Sequence, residues 1–515
     1  MIDTAALREK VLDLAIRGKL VPQDPTDEPA SVLLELIHEQ KLQMVREGKL
    51  KAKDVKDDTI IFKGDDNCYY EKFSDGTIKN IQDEIPFDLP NGWSWSRISS
   101  IGTTNIGLTY KPTDIADEGT IVLRSSNIRN GKIDLTDLVR VKTIIRENQF
   151  VEQNDIVICA RNGSKALVGK CAIFNLAMSE SVSFGAFMAI LRTAFYDYVY
   201  YFLNTQLFRN ILNSDDSKQI NQLTQDMLKN TLIPFPPQNE QRKIVTALNE
   251  IMHQISSIDN NANAVEHTKE VLKSRILELA IQGKLVPQDE NDEPAGVLLE
   301  RIRAERKAKL GKKYVESYIF KGDDNCYYEK ICKNEPVLLE NLPFDIPDSW
   351  CWARLGDIGD WGAGATPPRG NLEYYGGNIP WVKTGELNDD YIFLSVETVS
   401  SKALQECSLR YNKIGDILIA MYGATIGKLG IAGVKLTTNQ ACCACTPYEG
   451  VYNIYLFYYL KEEKDRFTKL GTGGAQPNIS REKIINYLIP IPPYNEQLRI
   501  CEQVKNIFNT MKGEN

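Results

Sequence analysis

IVTALNEIMHQISSIDNNANAVEHTKEVLKSRILEL, residues 244–279, lies at the centre of the chain and decides its architecture. Ile244, Leu248, Ile251, Ile255, Ile258, Ala262, Val265, Leu272, Ile276 and Leu279 recur at alternating steps of four and three, with Lys269 in the one seam position that is not apolar. This is a heptad seam, the spacing that keeps one apolar stripe turned toward a partner helix. It predicts a continuous helix about 54 Å long, at ~1.5 Å per residue. Asn260, Asn261 and Asn263 have the composition of a loop but fall off the seam, so they read as a solvated face.

A seam needs a partner, and an internal repeat supplies one. LAIRGKLVPQDPTDEPASVLLE (14–35) matches LAIQGKLVPQDENDEPAGVLLE (279–300) at 18 of 22 positions. FKGDDNCYYEK occurs at 62–72 and again, unchanged, at 320–330. IPFDLPNGWSW (85–95) answers LPFDIPDSWCW (342–352), and LIPFPPQNEQRKI (232–244) answers LIPIPPYNEQLRI (488–500), the offsets running 265, 258, 257 and 256. Under these offsets Ile500, Val504, Ile507 and Met511 correspond to Ile244, Leu248, Ile251 and Ile255, while Leu7, Val11 and Leu14 correspond to Leu272, Ile276 and Leu279. The terminal helices are therefore the two halves of a second copy of the central one, and the chain is pseudo-circular. If they pair antiparallel with the central helix, two intervening modules are thrown to opposite ends about an approximate two-fold axis. Each DEPA (27–30 and 292–295) is expected to place proline in the first turn of a short helix, where its missing N–H costs nothing.

Between the repeated blocks lie two divergent stretches, roughly 96–231 and 353–487. Unlike modules in like frames suit a protein that reads two different things with one geometry. Both read as mixed α/β: β-rich runs such as DIVICARNG and GDILIAMYG precede an aromatic helix, YDYVYYFLNTQLF or IYLFYYLKEEKDRF, whose rings are expected in the core. Each ends in a polar loop, SDDSKQINQLT (214–224) or GTGGAQPNIS (471–480). Asn and Gln in such loops are ordinary turn residues; in a DNA-reading module they would be bidentate partners for adenine.

The formal net charge is −8, unfavourable for a nucleic-acid binder, but it is concentrated in the frame. Residues 1–84 carry −5 and 236–341 carry −2, whereas 85–235 carry +1 and 342–491 carry −2. Within the first module, 120–170 reaches +4. Such a stretch could meet phosphates or form a solvated face. No apolar run approaches the ~18–20 residues of a membrane span. The acidic start, MIDTAALREK, has no secretory pattern, so a cytoplasmic protein is expected. Eleven cysteines without framework spacing read as reduced thiols, and with only His38, His253 and His267 available the cluster Cys442, Cys443, Cys445 is not read as a metal site. No catalytic constellation is found. IPPY (491–494) resembles the NPPY loop of amino-methyltransferases, but Ile491 stands where an Asn or Asp would accept from the target amine, and the first copy reads FPPQ. NGSKALVGK and GATIGKLG fail the phosphate-loop spacing.

TPPRGNLEYYGGNIPWVKTGEL (366–387), GDILIAMYGATIGKLG (415–430), TTNQACCACTP (437–447), GTGGAQPNISREKI (471–484) and IPPYNEQLRI (491–500) form an ordered series. With LAIQGKLVPQ and IPDSWCWARLGDI, that series resembles the specificity subunit of type I restriction-modification enzymes over nearly the whole chain. The first module departs from the pattern, keeping only LRSSNI, NDIVICARNGS and INQLT. The resemblance implies an α+β fold in which two mixed α/β target recognition domains are joined by long helices forming an antiparallel coiled coil, with a pseudo-two-fold internal repeat. It divides the chain into an N-terminal conserved helical region (1–84), a first target recognition domain (85–235), a central conserved region with the long helix (236–341), a second target recognition domain (342–491) and a C-terminal conserved helix (492–515). It further implies a non-catalytic subunit whose two domains read the halves of a bipartite site on double-stranded DNA. Two methyltransferase subunits, holding S-adenosylmethionine for adenine methylation, and translocase-nuclease subunits, using ATP and Mg, would be its partners. The DNA contacts it implies are Arg124, Asn127, Arg161, Asn162, Ser164, Lys165, Lys218, Asn221 and Gln222 in the first domain. In the second they are Lys383, Thr384, Tyr422, Thr425, Lys428, Asn439, Gln440, Gln476 and Asn478. The basic groups would grip phosphate and the amides would read bases. Each FKGDDNCYYEK is expected to help present an equivalent docking surface to one methyltransferase. Two other readings stay open at this point: a single-chain methyltransferase or nuclease, and a coiled-coil adaptor with no DNA role.

Overall fold

A computed structural model of the chain describes residues 2–213, 222–471 and 478–513. It divides into two compact units, Met1–Asn263 and Ala264–Asn515. The long helix is continuous from Gln238 to Ile281, 44 residues, and Asn260, Asn261 and Asn263 are helical as expected. Among the described residues no helix is long and apolar enough to cross a membrane.

In the first unit the helix Thr4–Ile16 is capped by Asp3, whose carboxylate accepts from the Ala6 amide at 2.9 Å. It runs antiparallel to the start of the long helix. Thr4 Oγ1 donates to Asp259 at 2.6 Å and Arg8 pairs with Asp259 at 2.8 Å. Beyond its other end, Asp27 accepts from Asn239 Nδ2 at 2.9 Å. Val11, Leu12, Ala15 and Ile16 are buried in one core with Ile244 and Leu248. In the second unit Leu277, Ala280 and Ile281 are buried with Ile500 and Val504, and Ile276 packs against them. These are the same positions under the repeat offsets, so each terminal helix does in its own unit what one half of the long helix does in the other.

The seam is nevertheless covered only near its ends. Leu7, Ile258, Val265 and Leu272 are exposed, and Leu14 and Leu279 are only half-buried. Two causes account for this. Thr4 stands level with Asp259, so the helix pair of the first unit ends there and leaves Ile258 at its edge. The buried stripe is also wider than a two-helix seam, because Val11, Leu12, Ala15 and Ile16 share their core with the module's own aromatic helix, Tyr198 and Phe202 included.

The repeated blocks clasp one another. Asp292 accepts from Asn495 Nδ2 at 3.2 Å and pairs with Arg499 at 2.6 Å, as Asp27 does with Asn239. Trp93 Nε1 donates to Glu240 and Trp350 Nε1 to Glu496, each at 2.9 Å. Pro29 and Pro294 sit one residue earlier than expected, as the N-caps of Ala30–Arg46 and Ala295–Leu310 rather than inside the first turn. The first helical amides are therefore free to bind the tryptophan loops, Ala30 N donating to Gly92 O at 2.8 Å and Ala295 N to Ser349 O at 3.0 Å. Region 1–84, read as helical, also holds an antiparallel sheet of Thr59–Lys63, Tyr69–Phe73 and Ile78–Asn80. FKGDDNCYYEK forms its first hairpin. The turn is closed by Gly64 N to Cys68 O at 2.9 Å, and in the second copy by Gly322 N to Cys326 O at 2.8 Å. Its glutamate ties the hairpin to the module entrance, Glu71 to Arg97 at 2.7 Å and Glu329 to Arg354 at 2.6 Å.

Each module enters and leaves through one pair of antiparallel strands. Ser94–Arg97 pairs with Leu232–Phe235, and Cys351–Arg354 with Leu488–Ile491. Inside the first module, Cys171–Ile173, Ile156–Cys159, Met188–Arg192 and Thr103–Ile106 make one sheet. A second sheet is mixed, Val182–Phe184 pairing parallel and Val139–Val141 antiparallel with Ile115–Leu123, and with the first sheet antiparallel throughout the module is α+β. The second module repeats both sheets and adds the short strand Tyr391–Ile392. Tyr198 and Tyr455, on the aromatic helices, are buried and donate to the Pro234 and Pro490 carbonyls at 2.7 and 2.8 Å, so these rings are core, as expected. Cys442, Cys443 and Cys445 are buried in a strand, where burial pushes their thiols up.

Candidate nucleic-acid interface

Three segments of each module converge beyond the strand ends, and shared backbone bonds fix them. In the first module the chain leaves the buried strand Ile156–Cys159 at Ala160, whose N–H donates to Phe187 O at 2.9 Å and whose carbonyl accepts from Leu223 N at 2.7 Å. Arg161 follows, donating its own N–H to Phe187 O at 3.0 Å and bridging to Gln222. The second module copies this: Met421 N donates to Ala441 O at 2.8 Å, Met421 O accepts from Ile479 N at 2.9 Å, and Tyr422 bridges to Asn478. Arg161 and Tyr422 thus occupy one position, as do Phe187 and Ala441, and Gln222 and Asn478. Lys218, Asn221 and Gln476 lie outside the described residues.

Two glycines make this convergence possible. A Cβ on Gly107 would lie 2.1 Å from Gly185 O, and one on Gly364 would lie 2.2 Å from Thr438 O. Only a residue without a side chain lets these neighbouring segments pass so closely.

The other expected contacts surround this centre. Arg124 and Lys383 open equivalent 3-10 turns, each closed by the side chain three residues on: Asn127 Oδ1 accepts from Arg124 N at 2.9 Å, and Glu386 from Lys383 N at 3.0 Å. Asn127 is the capping residue of its turn. It is 1% exposed and its Nδ2 donates to the carbonyls of Asp134 at 2.9 Å and Asp137 at 2.8 Å, so the expectation that it reads a base is corrected. Arg124 pairs with Asp137 at 2.7 Å, Arg129 with Asp134 at 3.1 Å, and Arg140 with Glu180, so these three cations are tethered; of their partners only Glu180 lies outside the stretch 120–170 and lowers its net charge. Asn162 donates to Ser125 Oγ at 3.2 Å and accepts from Ser164 N at 3.0 Å; Ser164 and Lys165 are exposed.

In the second module Lys383 and Arg369 both hold Glu397, Arg369 at 2.6 Å, and these two cations keep its carboxyl below the usual range. Arg369 also lies over Tyr375 and Trp381, 4.8 and 5.1 Å from the ring centres. Thr384 is half-buried in its turn, Thr425 Oγ1 donates to Tyr422 O at 2.8 Å, and half-buried Lys428 donates its N–H to Thr425 O at 2.9 Å. Gln440 is exposed and accepts from Thr366 Oγ1. Asn439 N donates to Val382 O at 3.0 Å, while its Oδ1 is buried without a hydrogen-bond partner among the described residues. The cluster therefore offers amides, a phenol and tethered cations on neighbouring loops, a surface suited to the base edges and phosphates of a duplex.

Sequence reading overlooked two residues here. Phe187 is 60% exposed, and no motif in the sequence marks it. Arg369 stands in the quoted TPPRG, and that motif was the signal for it. The FPPQ and IPPY segments do not form a target-amine site. Their Pro236 and Pro492 carbonyls accept from Gln241 and Gln497 at 2.8 and 3.0 Å as they lead into helices, and the acceptor position is held by Phe235 and Ile491, which cannot accept from an amine.

A family model described as the type I restriction modification DNA specificity domain matches residues 90–267 and 347–515. The type I restriction enzyme EcoAI specificity subunit of Escherichia coli is 30% identical over 413 residues, covering 68% of this chain but only 62% of that relative's length. The EcoEI specificity subunit, from the same species, is 26% identical over 599 aligned residues, covering 98% of this chain and 88% of the relative. A chain solved in work on complex assembly and conformational transition of the type I R-M system has a TM-score of 0.55 at 17% identity, covering 83% of this chain and 93% of that one, a likeness of fold.

Proposed function

Because this chain belongs to the type I restriction-modification specificity subunits, we propose that it reads a bipartite sequence on double-stranded DNA, one half-site per module, with an unread spacer between. The observation that carries this reading is the matched pair of surfaces: one scaffold presents Arg161, Phe187 and Gln222 in the first module and Tyr422, Ala441 and Asn478 in the second. Identical geometry with different side chains is what two different half-sites require.

The chain itself carries no catalysis in this account. Two methyltransferase subunits supply adenine methylation with S-adenosylmethionine, and translocase-nuclease subunits supply ATP- and Mg-dependent restriction, all in the cytoplasm. The acidic frame, −5 over residues 1–84, favours protein contacts there and leaves DNA to the modules. The repeated hairpins provide equivalent faces for two identical methyltransferases. Co-expression with such a methyltransferase, followed by mapping of N6-methyladenine, tests the reading. The expected motif has two short specified segments separated by a fixed number of unread bases, and the chain alone methylates nothing. An undivided motif, or methylation by the isolated chain, contradicts it.

A further inference from the structure

Phe187 is conspicuous in the first module. Its neighbour Met188 is fully buried in a sheet strand, yet Phe187 itself is 60% exposed. Its backbone is fixed, since its carbonyl accepts from both Ala160 N and Arg161 N. The Arg161 guanidinium lies over its ring, 5.4 Å from the centroid, and the Arg161 side chain makes no ion pair among the described residues. An arginine stacked on an aromatic face keeps its planar fork oriented while its N–H groups point past the ring.

We propose that Arg161 and Phe187 together read two neighbouring base pairs of the first half-site, the guanidinium engaging the O6 and N7 acceptors of a guanine and the ring contacting the C5 methyl of an adjacent thymine. This rests on the reading of each module as a half-site reader and adds the bases involved. Arginine forks match the guanine major-groove edge, and an apolar ring finds only the thymine methyl there. Their separation is of the order of one to two base steps of ~3.4 Å, so the two contacts fall on neighbouring pairs. The second module replaces the couple with Tyr422 and Ala441, so its half-site should lack this signature.

The test uses the complex of the full chain with its methyltransferase. Methylation rates are measured on duplexes in which single thymines become deoxyuridine, which lacks the methyl, and single guanines become 7-deazaguanine, which lacks N7. In the first half-site one thymine should respond by about fourfold, the worth of one buried carbon. An adjacent guanine should respond by roughly fivefold or more. The thymine response should vanish in Phe187→Ala and the guanine response in Arg161→Ala. Because the base changes leave the protein untouched, misfolding of a variant cannot imitate the first two results. If no first-half thymine responds, or its response survives Phe187→Ala, the inference is overturned while bipartite reading stands. If the complex methylates without sequence preference, both fall.

Discussion

Glu462 is a carboxyl that the fold brings close to neutral pH. Burial pushes it from 4.5 up to about 7, opposed in part by the Ser274 hydroxyl, which donates to its two oxygens at 3.1 and 3.2 Å. The unfolded chain gives up this proton near 4.5, so between about pH 4.5 and 7 the native state holds more protons than the unfolded one. This group's contribution to stability is therefore full in acid, declines as pH rises through that window, and is level above it. Glu462→Gln, neutral throughout, should melt higher than the unaltered chain at about pH 8 and equally near pH 4; parallel melting curves across pH would contradict the assignment. At this scale the sequence was only partly legible. Composition marks amides as candidates for base reading, but it does not say which amide the backbone has already engaged. Asn127 and Gln222 look alike in a one-dimensional string, yet Asn127 closes a turn beneath the surface and Gln222 bridges to Arg161 at the rim. Phe187 was not singled out, since an apolar residue one place before the strand Met188–Arg192 looks in sequence like part of the core.

The loops that carry the proposed reading residues are held by close backbone approaches, and Gly107 and Gly364 are where these can be tested. An added Cβ would meet Gly185 O at 2.1 Å or Thr438 O at 2.2 Å, and backbone on both sides has little room to yield. Overpacking of this kind costs roughly 1–3 kcal/mol. Gly107→Ala should lower the melting temperature and loosen selectivity in the first half-site alone; Gly364→Ala should do the same in the second. Variants that melt and methylate like the unaltered chain would show that these approaches do not position the loops. Elements were the most legible scale. The heptad spacing gave the long helix through its asparagines, and the aromatic helices were core because their rings sit among apolar neighbours. The extent of the seam was not legible. Spacing marks Ile258 as a seam position, but its cover depends on where the opposing helix starts, and Thr4 opposite Asp259 puts Ile258 at that helix's end, where it is exposed.

The whole molecule was legible mainly through its repeat. Four blocks repeated at nearly constant offsets predict two units built alike, and the same contacts recur in each: Trp93 with Glu240 and Trp350 with Glu496, Glu71 with Arg97 and Glu329 with Arg354. The clasp also explains why those blocks stay alike, because each residue of a contact constrains its partner. What divergent modules read was less legible, since their surfaces are assembled from segments far apart in sequence, such as Arg161, Phe187 and Gln222. Strand pairing of Ser94–Arg97 with Leu232–Phe235 closes the first module on itself, so it is a replaceable insert. Replacement of residues 96–231 by the corresponding stretch of another specificity subunit, with the methylated motif mapped before and after, is the most direct measurement. One half-site should change while the other half-site and the spacer stay as they were; a motif altered in both halves, or unaltered, would contradict the account.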